Sequence, residues 1–237
     1  MVMLIFKPCS NIKPDIILQN IGDFEAYGRE LWNKYADNME QLIIDTGNLN
    51  LKQICEVALG LVVADYQFDK YETKKVEDYS CLESVIFLNN DYVLLQKLFE
   101  NYAALANAIR FAKDLYNEPE GQYQTEQYFF EIKRLEYLGL EFKDCGNNLL
   151  RLAWKGSDKS KEQYIIAKNR KLAAVAAGVI KAVALQRLNI NLVVYLQIEG
   201  VINDLLVKSP IYIEDDISDE NMAEKELRRV YKLIEEN

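Results

Sequence analysis

Between residues 14 and 89, short apolar runs of strand length alternate with longer segments of helical periodicity. This order restricts the architecture more than any other feature of the chain. PDIILQN (14–20) is an apolar run after a proline and predicts a buried strand. Asp23 is placed to cap the helix DFEAYGRELWNKYA, whose Phe24, Tyr27, Leu31 and Tyr35 fall on one face at spacings of three and four. QLIIDT (41–46) predicts a second buried strand, ended by Gly47. LKQICEVALGLVVADY (51–66) predicts an apolar helix, and SVIFLN (84–89) a third strand. A β-α-β-α-β order implies an α/β fold with a mostly parallel sheet covered by helices.

The longest helical pattern runs over residues 91–117 and stops at Asn117-Glu118-Pro119, because proline disfavours helical geometry in the residue before it. Its length and place predict a connector. After it come the helix TEQYFFEIKRLEYLG, with Thr125 near its start and Gly139 at its end, then strand LEFKDC and a loop. Strand QYIIAK (163–168), helix 170–188, strand NLVVYLQI (191–198) and a charged helix over 218–237, capped by Ser218 or Asp219, complete the pattern. The expected organisation is an N-terminal α/β domain over 1–90, a connecting helix over 91–119 and a second α/β unit over 120–237.

Composition removes several functions. The chain has no histidine, which excludes histidine-dependent triads and leaves carboxylates, thiolates or lysine for any metal site. A net charge of -9 repels phosphate backbones and anionic bilayers, so neither nucleic acid nor membrane is expected as a partner. Cys9, Cys55, Cys81 and Cys145 form no CxxC pair and are expected to be reduced thiols. The opening MVMLIFKPCS has no signal-peptide pattern, and no run of about 18 apolar residues occurs. A cytoplasmic location is expected.

Three segments carry a family resemblance. ALGLVVADYQFDKYETKK (58–75) contains an FDKY motif. ANAIRFAKDLYNEPEGQYQTEQY (106–128) contains an NEP turn. KNRKLAAVAAGVIKAVALQRLNINLVVYLQIEG (168–200) pairs a small-residue helix with an apolar strand. In this order and spacing they resemble the leucyl aminopeptidase (cytosol aminopeptidase) family over roughly residues 12–204. The resemblance implies a truncated peptidase-like C-terminal domain. It also implies ancestry among enzymes that remove N-terminal residues from peptides. Those enzymes use two divalent metals, commonly zinc, manganese or magnesium, that activate a bridging water and polarise the scissile carbonyl, and they are typically hexameric.

The chain departs from the family where the metals bind. A glycine-rich block carrying a lysine and an aspartate has no counterpart, because YIIAK runs directly into NRKLAAV. The aspartate of the family's "DMGG" block falls at Asn169, and Arg170 and Lys171 place positive charge beside it. A neutral amide is a poorer ligand for a dication than a carboxylate. The family's last block, "NTDAEGR", matches loosely at 213–223, with Asp219 in the aspartate position, Asn221 replacing the glutamate and Ala223 the arginine.

The expectation is therefore a degenerate member with no catalytic residue and no bound metal. Asp219 and Glu220 are the residual metal candidates, and Asn169 is a degenerate ligand position. The acids Glu214, Asp215, Asp216, Asp219 and Glu220 read alternatively as a hard-cation site or as a solvated turn and helix start. FDKY, Trp32 and Trp154 read as packing residues. The run Lys155, Lys159, Lys161, Lys168, Arg170 and Lys171 reads as a solvated loop and helix start, or as a contact for an acidic partner. The expected partners are a second copy of the chain or an intact aminopeptidase. The rival expectation is a residual metal-dependent aminopeptidase.

Overall fold

A computed structural model describes residues 2–9, 12–19, 22–73, 80–119, 125–157, 160–198 and 209–236. The chain divides into two compact units, Met1–Ala106 and Asn107–Asn237. No described helix is long and apolar enough to cross a membrane.

The first unit holds strands β1 (Met3–Lys7), β2 (Ile16–Ile17), β3 (Gln41–Asp45) and β4 (Ser84–Leu88) in the order β1-β4-β3-β2, all parallel. β4 is buried along its whole length because β1 and β3 flank it. Two helices connect these strands. In α1 (Phe24–Tyr35) the Asp23 carboxylate accepts from the Ala26 N–H at 2.9 Å, as the capping pattern predicts. In α2 (Leu51–Ala64) Asn50 and Gln53 form a reciprocal capping box. The two helices cross backbone to backbone at a pair of glycines. A Cβ on Gly28 would lie 2.1 Å from the Val57 carbonyl oxygen, and one on Gly60 would lie 2.1 Å from that of Glu25.

One expectation for this unit changes, and one strand is added to it. The 14–20 run contributes only Ile16–Ile17, at the sheet edge, where pairing is one-sided and Ile17 is 60% exposed. The opening residues, for which the sequence reading named no element, form β1. The chain there is apolar enough to cover the open side of β4, and Phe6 stacks on Phe87 with ring centroids 5.6 Å apart.

Helix α3 (Tyr92–Asn117) ends where the NEP turn predicts, and the boundary between units falls inside it, after Ala106. The second unit continues with α4 (Thr125–Lys133), which tightens into a 3-10 turn over Arg134–Leu138. Gly139 closes that turn at φ +90°, in the left-handed region that favours glycine. The sheet contains β5 (Glu141–Asp144), β6 (Leu149–Lys155), β7 (Glu162–Ala167), β8 (Asn191–Gln197) and β9 (Ile211–Tyr212), in the order β5-β6-β8-β7-β9. It is mixed: β5, β6 and β8 pair antiparallel, while β7 is parallel to both β8 and β9.

The region expected as a loop before QYIIAK contains β6, the longest strand of the unit together with β8. Its signal was alternation: Leu150 and Leu152 are fully buried while Arg151 is not. The tight turn that sends it back along β5 uses positive φ at Gly146, Asn147 and Asn148, residue types that tolerate that geometry. Trp154, on β6, donates its indole N–H to the Leu188 carbonyl at 2.9 Å, consistent with packing.

Helix α5 (Arg170–Leu185) is buried over thirteen residues, all round its axis. One side lies on β6, β7 and β8, and another meets α6 (Glu220–Glu236). Its small side chains permit this. A Cβ on Gly178 would lie 2.5 Å from Leu227 of α6 and 2.8 Å from Ala112 of α3, so three helices converge there.

Candidate functional site

In α/β sheets, ligands bind beyond the carboxyl ends of the parallel strands. Here β7 runs through Lys168 straight into the first turn of α5, and Asn169 stands at that junction. Its extended backbone (φ -152°, ψ 172°) and side chain make it the N-cap: the Asn169 amide oxygen accepts from the Leu172 N–H at 3.0 Å. The Asn169 amide thus serves its own helix.

The cations that follow are packed on aromatic rings. Arg170 lies 4.9 Å from the Tyr128 ring centroid, and the Tyr128 hydroxyl donates to the Arg170 carbonyl at 2.9 Å. Lys171 lies 5.2 Å from the Tyr116 ring and Lys168 5.9 Å from the Tyr212 ring. Three positive charges at the end of a strand oppose a dication there. Lys155, Lys161, Lys168 and Lys171 belong to described residues, whereas Lys159 lies outside them.

Asp219 caps α6. Its Oδ1 accepts from the Met222 and Asn221 N–H groups, both at 2.9 Å. These bonds, Met222 foremost, hold the carboxyl below the usual aspartate range. Glu220 accepts from the side-chain amide of Asn117, at the end of α3. Glu214, in the preceding loop, donates its backbone N–H to Glu226 at 2.9 Å and its carboxylate lies 3.8 Å from Arg229. The acids of 214–220 are distributed over turn, cap and ion-pair roles. Among the described residues no group of three or more Cys, Asp or Glu side chains is placed to hold a metal ion. The described residues do not fit a two-metal centre.

FDKY lies in the first unit, with Phe68 and Tyr71 rings 6.0 Å apart and Lys70 5.6 Å from the Tyr71 ring. Two polar features were missed by sequence reasoning. Lys113 of α3 and Glu224 of α6 form a buried ion pair at 3.0 Å, with side chains 4% and 5% exposed, and Arg228 joins Glu224 at 2.9 Å. Partners 111 residues apart leave no local signal. Lys181 sits within the apolar face of α5, 8% exposed, with its ammonium 4.4 Å from the Phe111 ring centroid. Burial pulls its pKa down to about 8, against the opposing pull of Asp114. A lone lysine in VAAGVIKAVAL was a visible signal.

No family model matches the chain. Curated relatives do. The chain is 36% identical over 107 residues to a probable cytosol aminopeptidase of Caulobacter vibrioides, covering 45% of this chain and 22% of that protein. It is 24% identical over 194 residues to a probable cytosol aminopeptidase of Sinorhizobium fredii, covering 70% and 39%. This chain is a partial relative of the cytosol aminopeptidases. It spans 18% to 39% of the length of the curated relatives it matches. The fold agrees with this aminopeptidase kinship. A tomato leucine aminopeptidase variant superposes with a TM-score of 0.64 at 12% identity, covering 86% of this chain and 51% of that one. The bottromycin maturation enzyme BotP superposes at 0.61 with 15% identity, covering 75% and 47%.

Proposed function

We propose that this chain is a degenerate aminopeptidase relative, located in the cytoplasm, that has lost metallopeptidase activity and binds no catalytic metal. The carrying observation is the use of the two aligned positions: Asn169 and Asp219 each cap their own helix. The absence of a counterpart to the glycine-rich metal block between Lys168 and Asn169 supports the same reading. In this reading, 1–90 and 120–237 retain the family's two domains joined by the helix over 91–119.

The test is metal content after dialysis, together with turnover of a leucine anilide in added manganese or zinc. No stoichiometric metal and no turnover are expected. Turnover lost on Asp219→Asn, a substitution that preserves the cap, would revive the residual-aminopeptidase reading and overturn this one. What remains for such a chain is interaction. Its kinship with aminopeptidases favours pairing with an intact one and modulating its assembly. Co-purification with that enzyme supports this second reading, and failure to associate when the two are mixed at micromolar concentration rejects it.

A further inference from the structure

We draw no further inference here: the strongest candidate, the surface of the second unit that carries the exposed rings of Phe130 on α4 and Tyr137 on the 3-10 turn after it, carries nothing because nothing in the structure shows what covers it.

Discussion

Replacing Lys181 by Met should stabilise the second unit, and the gain should vanish at high pH. The ammonium is buried beneath the helix layer beside the Phe111 ring, which displaces its pKa from 10.5 to about 8. A displacement of that size corresponds to about 3 kcal/mol of preference for the neutral form in the folded state. Below pH 8 the folded protein carries the charge and bears the full cost. Between pH 8 and 10.5 the unfolded chain holds the proton and the folded chain does not, so wild-type stability rises with pH. Methionine matches the stem in volume and has no charge. It is therefore expected to gain roughly 1–3 kcal/mol at pH 7, the lower end reflecting the lost contacts with Phe111 and Asp114, and almost nothing by pH 10.5. Trp154 lies in this unit and Trp32 in the other. Urea unfolding followed by fluorescence in a Trp32→Phe background therefore isolates the relevant transition. A Lys181→Met protein no more stable than its parent at pH 7, or a difference that does not change with pH, would refute the argument from desolvation.

At the α1–α2 crossing, Gly60→Ala or Gly28→Ala drives a methyl to 2.1 Å from a backbone oxygen, so either should cost several kcal/mol despite alanine's better helix propensity, measured by thermal unfolding of the first unit. Asn169→Ala should cost about 1 kcal/mol through loss of the cap, whereas Asn169→Asp should retain stability, and isothermal titration with manganese should detect no site in either. Glu224→Gln strips the buried Lys113 and the half-buried Arg228 of their shared carboxylate and should lower stability by roughly 3 kcal/mol in denaturant titration. Conversion of both Glu224 and Lys113 to apolar residues should recover much of that loss.

Legibility in the sequence followed the range of the interactions. β3, α2, β4 and α5 were readable because each is a continuous apolar run of strand or helix length, a pattern local in the sequence. The α3 stop was readable from Pro119. β6 was not read, although Leu150 and Leu152 alternate with Arg151, because the surrounding glycine, asparagine and lysine residues suggested loop. β9 is two residues long and exists only through its pairing with β7. At the candidate site, the amide at residue 169 was visible directly. Asp219 was already legible as a candidate helix cap, whereas the capping role of Asn169 was visible only once the start of α5 was placed.

By itself, then, the sequence determined the α/β class and the kinship with aminopeptidases, because periodicity and motif are local. The tertiary structure decided which strands share a sheet and which acids find partners. It also decided that Glu224 meets Lys113. Each of these depends on residues brought together from distant parts of the chain, whose mutual approach is set by packing around Gly178 and along β8 rather than by any local pattern.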